Sequence, residues 1–408
     1  MRAIGITCGV GSMMIGARSA GFDVVGNVEW RRYYHHRDKA TKKNTFTENF
    51  PGAFMVKKLD DLTTAEIADL QGIDLAMGHP ECGSYSLLSS PAAKKKGCGL
   101  LGLAEDVGDI PVFIDLIARI RPRYFVADNL PRSLIGVPIH VWAEKLPDYD
   151  LFPEWISNYH YGNVQKHRKR FFMIGARKSE RFVFAPDEDD APGHATLLDV
   201  LYGIPAGDPN HLPHNLTRSC GKGKGCNGIN RALTWGEARD WFAARPTGTT
   251  LQYNASDGTI KNHIGFVKSH TTHCNVLTGT NPVLNPLTNL PFSIRERLRI
   301  QGAPDDFKIE GMVTEPDGTW CHIRNMSLIR QTGKWMPVQF CEYIARQVAD
   351  HIQGADGSFK TLERCIVPNI YIDEAKKWFC MARGYADAEA RNICGFCGVK
   401  KCDRRGGR

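Results

Sequence analysis

The stretch Gly78-His79-Pro80-Glu81-Cys82-Gly83-Ser84-Tyr85-Ser86 sets a cysteine on a tight turn just after the apolar run Ile73-Asp74-Leu75-Ala76-Met77. An ionised thiol is a strong nucleophile and can open a covalent route through a difficult reaction. The apolar run predicts a buried parallel strand that Gly78 ends. A thiol at the carboxyl end of such a strand lies where open α/β sheets bind ligands. A lone cysteine in a turn serves as often as a small buried hydrophobe, so its role depends on what the other strands bring to it.

Two acids end other strands. Ala3–Thr7 reads as a strand, Cys8-Gly9-Val10-Gly11-Ser12 as a glycine-rich turn and Met13–Ala20 as a helix, and Phe22–Val28 as a second strand ending in Glu29-Trp30. Glycines let the backbone approach a ligand at a helix N-terminus, and an acid ending the second strand commonly holds ribose hydroxyls. The spacing of Gly9, Gly11 and Glu29 is too short for a dinucleotide fingerprint and suits a nucleoside-type cofactor or a plain packed turn. Trp30 fits either the core or, from its place after Glu29, stacking on an adenine. Further on, the amphipathic helix Ile110–Ile120 leads through Arg121-Pro122-Arg123 to the strand Tyr124-Phe125-Val126-Ala127 and to Asp128-Asn129-Leu130. The basic run Val164-Gln165-Lys166-His167-Arg168-Lys169-Arg170 precedes the strand Phe171–Gly175 and reads as a solvated face unless it lines a site.

A chain of 408 residues, 24% charged and 42% hydrophobic, has the composition of a globular protein of about two domains. No apolar run reaches the roughly 18 residues of a membrane span, and the N-terminus enters a strand without a signal-peptide layout. Thirteen scattered cysteines fit reduced thiols and a cytoplasmic setting rather than a disulfide framework. The net charge of +8 favours a polyanionic partner.

In this order the segments resemble the DNA cytosine-C5 methyltransferase family over about residues 1 to 352. Gly9-Val10-Gly11 resembles its glycine motif, Glu29-Trp30 its ribose and adenine contacts, and Asp60-Asp61 its acidic contact to the adenine amino group. Pro80-Glu81-Cys82 resembles its Pro-Pro-Cys nucleophile motif, Asp128-Asn129-Leu130 its Glu-Asn-Val, and Arg168-Lys169-Arg170 its Arg-x-Arg. The segment from Ser293 to Phe307 is similar to the motif that packs the recognition domain. Gly333-Lys334-Trp335-Met336-Pro337 is similar to the last motif, Gly-Asn-x-x-Pro. The resemblance implies a Rossmann-like α/β methyltransferase fold with a smaller, irregular target-recognition domain. Residues 1–180 would form the first part of the catalytic domain, 181–290 the recognition domain, 291–353 a return to the catalytic domain, and 354–408 an extension.

The implied chemistry uses Cys82 to attack C6 of a flipped cytosine, so that C5 becomes nucleophilic. Asp128 stands at N3, and Arg168 or Arg170 shares the charge at O2. Ser86 and Lys94, Lys95 and Lys96, in the loop that follows, would touch double-stranded DNA. Departures gather around one pocket. Glu81 replaces a proline and opposes thiolate formation; Asp128 is a methylene shorter than the family's Glu; Gly83 replaces a common Gln. Lys334 replaces an Asn near the transferable group of the donor. A lysine there would pair with a carboxylate on that group. The donor is therefore S-adenosyl-L-methionine or carboxy-S-adenosyl-L-methionine, and the product 5-methylcytosine or 5-carboxymethylcytosine.

Between about Glu180 and Leu290 short apolar runs alternate with Gly, Asn, Thr and His. Cys220, Cys226, His270, His273 and Cys274 are irregularly spaced for zinc and read as solvated loops. In the tail Glu374–Asn392 reads as a helix. Cys394-Gly395-Phe396-Cys397, with Cys402 and Cys380, has the outline of a zinc knuckle; the alternative is a basic tail ending Arg404-Arg405-Gly406-Gly407-Arg408. The expected state is a monomer. An RNA cytosine methyltransferase and an inactive DNA-binding relative are the competing readings. The large insert argues against the first, and the retained Cys82, Glu29, Trp30 and arginine pair against the second.

Overall fold

The computed structural model describes residues 1–35, 44–80, 109–130, 133–166, 168–184, 195–205, 208, 242–248, 250–251, 266–277, 283–309, 328–329 and 331–354. Seven strands form one sheet in the order β3-β2-β1-β4-β5-β7-β6. They are β1 (Arg2–Ile6), β2 (Asp23–Val28), β3 (Phe54–Val56), β4 (Leu75–Gly78), β5 (Tyr124–Asn129), β6 (Tyr149–Ser157) and β7 (Lys169–Arg177). The first five run parallel, and β7 lies antiparallel to both β5 and β6. Strand order reverses between β1 and β4, so the crevice at their carboxyl ends is the switch point where such sheets take ligands.

Both faces of the sheet are covered, which is why β1, β4 and β5 read as continuous apolar runs. On one face lie α1 (Ser12–Ser19) and the long C-terminal helix, with Met13, Met14, Phe172, Phe340 and Ile344 in the core. A Cβ at Gly16 would stand 2.6 Å from the backbone nitrogen of Glu342, so glycine permits the close crossing of these two helices. The other face carries the Ile110–Ile120 helix predicted from the sequence. Its buried Ile110, Phe113, Ile114, Ile117 and Ile120 recur at helical spacing. Pro122, just beyond, cannot continue the helix.

A separate three-stranded sheet joins β8 (Thr250–Leu251), β9 (Phe266–Lys268) and β10 (Val283–Leu284). Its neighbourhood has its own small core of Val164, Leu197, Cys274, Leu277, Val283, Phe292 and Ile300. The helix Ile294–Ile300 begins with a reciprocal Ser293–Glu296 cap and buries Arg295 and Arg297 along with its apolar residues. Among the described residues no helix is long and apolar enough to cross a membrane.

The basic run before β7 is not a uniformly solvated face. Arg168 and Arg170 are buried while Lys169 between them is exposed, the alternation of a strand, and Lys166, before the strand, is exposed as well. Cys274 likewise departs from the solvated-loop reading. It is fully buried, its thiol donates to the Asn275 carbonyl at 2.9 Å, and burial pushes that thiol up to about 12. Its neighbours His270 and His273 stack with ring centroids 4.3 Å apart. Among the described residues no group of three or more His, Cys, Asp or Glu could hold a metal. Cys220, Cys226, Cys380, Cys394, Cys397 and Cys402 lie outside the described residues.

Candidate active site

The turn between β1 and α1 is built on left-handed backbone at Thr7, Gly9 and Gly11, with φ of 55°, 59° and 103°. A Cβ on Gly9 would come within 2.9 Å of the Tyr34 ring, and one on Gly11 within 2.6 Å of Phe50, so both positions require glycine. The turn curls back to Glu29 at the end of β2. Gly9 N donates to Glu29 Oε2 at 3.0 Å, and Arg31 N and Nε donate to Oε1 at 2.9 and 3.0 Å. Arg31 also spans two further strand ends, its Nη2 reaching the carbonyls of Thr7 at 3.3 Å and His79 at 3.2 Å. The only sequence signal for Arg31 is its place two residues after Glu29.

The second cluster lies at the ends of β4, β5 and β7. Asp128 is fully buried and accepts a two-pronged bond from Arg170, Nε to Oδ1 at 2.7 Å and Nη2 to Oδ2 at 2.6 Å. His79 Nδ1 meets Oδ2 at 2.6 Å. Burial alone would push the Asp128 carboxyl up, but Arg170 and His79 hold it below the usual carboxylate range. Next to it, Asn129 Nδ2 donates to the Pro80 carbonyl at 3.3 Å. The chain that carries Cys82 two residues later is thus rooted on β5 beside the acid–guanidinium pair. Cys82 itself, with Ser86, Lys94, Lys95 and Lys96, lies outside the described residues.

Of the two candidate arginines only Arg170 joins Asp128. Arg168 points elsewhere, donating from Nη1 to the Leu277 carbonyl at 3.1 Å and from Nη2 to the Trp335 carbonyl. The adjacent buried amides continue this seam. Gln165 Nε2 donates to Gln301 Oε1 at 2.9 Å, and Gln165 Oε1 accepts from Leu277 N at 2.9 Å. Gln301 Nε2 in turn donates to the Thr332 carbonyl at 2.9 Å. Lys334 stands just beyond, half-buried, and two residues later Met336 N donates to Ser12 Oγ at 3.3 Å. This contact brings the Lys334 segment against the first residue of α1, beside the glycine turn.

The remaining candidates sit at the edge of the crevice. Trp30 is half-buried and donates from its indole nitrogen to Asp109 Oδ2 at 3.0 Å. Asp61 Oδ2 caps its own turn by accepting from Lys57 N and Lys58 N, both at 3.1 Å. Asp60 faces outward in a surface pair with Arg119 at 2.8 Å.

A glycine turn and a buried acid at the switch point of a sheet ordered 3-2-1-4-5-7-6, with antiparallel β7, define a Rossmann-like methyltransferase. The chain belongs to the C-5 cytosine-specific DNA methylase family, which matches residues 1–350. It is 23% identical over 360 residues to the Type II methyltransferase M.MthTI of Methanothermobacter thermautotrophicus, covering 85% of this chain and 96% of that one. It is also 23% identical to the Type II methyltransferase M.FnuDI of Fusobacterium nucleatum, over 86% of this chain and 94% of the other. Among solved structures, a prophage protein of E. coli described as a DNA modification methyltransferase superposes with a TM-score of 0.59 at 21% identity. That match covers 86% of this chain and 99% of the other. Spodoptera frugiperda DNMT2 follows with a TM-score of 0.51 at 10% identity, over 85% and 99%. Family membership makes this chain a DNA cytosine-C5 methyltransferase with S-adenosyl-L-methionine as donor.

Proposed function

We propose that the chain flips a cytosine out of duplex DNA, attacks its C6 with the Cys82 thiolate and places a carbon group on C5. The observation that supports this most directly is the placement of His79 and Pro80, which lead into Cys82 in the sequence. The Asn129–Pro80 and His79–Asp128 contacts hold these two residues beside a buried carboxylate–guanidinium pair. Attack at C6 drives electron density onto the N3/O2 edge of the base, and a preorganised polar cluster on that side lowers the cost of the charge. None of this is possible inside the stack, so the base must be extruded.

The residues of the crevice fit a nucleoside donor. Gly9 and Gly11 bring bare backbone to the N-terminus of α1, and Glu29 Oε2 accepts from Gly9 N, its one donor among the described residues, which leaves it capacity for a ribose hydroxyl. Trp30 would cover the adenine, with Asp60 and Asp61 at its rim. When bound, S-adenosyl-L-methionine supplies a methyl group as an electrophilic carbon on a positive sulfur. Residues 181–290 would read the DNA sequence in the major groove, and Ser86 and Lys94–Lys96 would touch its backbone.

A carboxymethyl donor is the second reading. Its support is the Met336–Ser12 contact, which brings the Lys334 segment to the donor side of the crevice. A lysine there would pair with a carboxylate on the transferred group. Nucleoside mass spectrometry on duplex DNA incubated with the protein tests both. A 5-methylcytosine peak with S-adenosyl-L-methionine supports the first reading. A 5-carboxymethylcytosine peak that appears only with the carboxy donor, and is lost in Lys334→Asn, supports the second. No modified cytosine with either donor overturns both.

A further inference from the structure

We propose that Asn27 is a positioning residue that holds the glycine turn in its donor-binding shape, and that Gly5 is glycine to make room for it; this rests on the donor reading above. β1 and β2 pair with Gly5 directly opposite Asn27. Neither residue suits the middle of a buried parallel sheet. Glycine there adds no packing and loses entropy on folding, and asparagine is depleted from strands. A β-branched apolar residue at either position would fit a sheet covered on both faces. What the Asn27 carboxamide reaches accounts for the pair.

Asn27 is fully buried, and its Nδ2 donates to the Gly9 carbonyl at 3.0 Å. Two positions on, Glu29 Oε2 accepts from Gly9 N at 3.0 Å. Side chains two apart leave a strand on the same face, so β2 grips Gly9 by both of its backbone polar groups. The grip has a job to do, because Gly9 sits at a φ of 59° and has no side chain to resist rotation. In a trans peptide the carbonyl and the following N–H point in opposite directions, and the described peptides are all trans. Fixing the Gly9 carbonyl on β2 therefore turns Val10 N–H away from β2. Among the described residues no acceptor meets that N–H. Asn27 thus aims one backbone donor of the turn outward and, through Gly9, keeps Glu29 in place.

The arrangement is kept at a cost. Asn27 Oδ1 is buried and has no hydrogen-bond partner among the described residues, which is unfavourable. It is also tight. A Cβ at Gly5 would stand 2.8 Å from Asn27 Oδ1 and 3.2 Å from its Cγ. A methyl group at position 5 would push the carboxamide off Gly9. Leucine has the branched shape of asparagine without its N–H, and so separates filling the space from making the bond.

Asn27→Leu, Asn27→Ala, Gly5→Ala and the double variant Gly5→Ala with Asn27→Ala test this in the full chain. Titration calorimetry with S-adenosyl-L-methionine gives the donor Kd. Steady-state methylation of mixed-sequence duplex DNA gives kcat and the donor KM, and thermal melts without donor report packing. The expected result for Asn27→Leu is a rise of about tenfold or more in donor Kd and KM, with kcat at saturating donor within about threefold of wild type and melting within about 3 °C. Gly5→Ala should weaken the donor about as much as Asn27→Ala, and the double variant no further, because all three lose the same contact. A donor Kd in Asn27→Leu within about twofold of wild type overturns the proposal. Additive losses in the double variant also overturn it, since Gly5 and Asn27 would then act separately. So do losses of affinity that only track losses of melting temperature across the set, which would make Asn27 a packing residue. Glu29→Ala in parallel separates the two levels. If neither Glu29→Ala nor Asn27→Leu weakens the donor, the donor reading fails; if Glu29→Ala does and Asn27→Leu does not, only the role of Asn27 fails.

Discussion

Arg31 and Glu29 stand two positions apart on the turn that leaves β2, and the guanidinium holds the carboxylate at 3.0 Å with both side chains out of solvent. The same guanidinium ties the ends of β1 and β4 through their carbonyls. One side chain therefore fixes the proposed ribose ligand and the root of the nucleophile turn together. A buried carboxylate stripped of its partner costs several kcal/mol and tends to protonate. Arg31→Met is expected to raise the donor Kd by about tenfold or more, about 1.4 kcal/mol or above, with Arg31→Lys in between because a single ammonium cannot span three strand ends. Titration calorimetry with S-adenosyl-L-methionine decides it: unchanged affinity in Arg31→Met would remove Arg31 from the donor site.

Glu154 gives a pH dependence of known sign. It sits on β6 opposite Phe172, on the face shared with Phe152 and Ile156, and burial pushes its carboxyl up to about 7. The folded pKa lies above the unfolded value, so the folded state keeps its proton between about 4.5 and 7 while the unfolded chain loses it. Stability falls with rising pH across that window, and the full penalty, on the order of 2–3 kcal/mol, is present above it. Glu154→Gln is expected to melt about 3 °C higher than wild type at pH 8 and at the same temperature near pH 4.5. Thermal melts across pH that stay parallel for the two proteins would refute this.

Gly16 tests the helix crossing under the donor turn. A methyl group there would stand 2.6 Å from the backbone of Glu342 and 2.7 Å from Cys341 Cβ, and backbone cannot rotate away. Gly16→Ala should cost about 1–3 kcal/mol by overpacking, against the usual gain from alanine in a helix. The same helix presents Ser12 to Met336, so donor affinity should fall as well. Chemical denaturation gives the first quantity and donor calorimetry the second. A variant as stable as wild type would mean that the helices separate without cost.

The parts of the site that the sequence made legible are those with a local signal. β4 and β5 are buried on both faces and read as apolar runs, so their ends, and with them Gly78 and Asp128, could be located to within a residue or two. The glycine turn and α1 were visible for the same reason. What stayed hidden depends on distant partners. His79 looked like one residue of a turn until β5 and β7 brought Asp128 and Arg170 to it from 49 and 91 positions away. Gln165 meets Gln301 across 136 positions, and no periodicity announces that bond. Arg168 and Arg170 could not be told apart as a motif, because both face inward and only the packing of the segments around Leu277 and Trp335 decides which one reaches Asp128.

That distinction makes the sharpest remaining prediction. Arg170 forms two parallel bonds to Asp128, and a lysine can replace neither the fork nor its planarity. Arg170→Lys is therefore expected to lower kcat by about 100-fold or more, since Asp128 loses the partner that orients it against His79. Arg168 donates instead to two backbone carbonyls, of Leu277 and Trp335, at the seam between the sheet and the segments packed on it. A lysine there satisfies at most part of that pair, leaving a buried carbonyl short of a donor at a cost of about 1–3 kcal/mol. Arg168→Lys should accordingly melt earlier while kcat at saturating donor and DNA stays within about threefold of wild type. Measuring kcat and melting temperature on both variants separates the roles. If Arg168→Lys lost as much kcat as Arg170→Lys, both arginines would have to act on the base, and the seam would be part of the reaction centre rather than its frame.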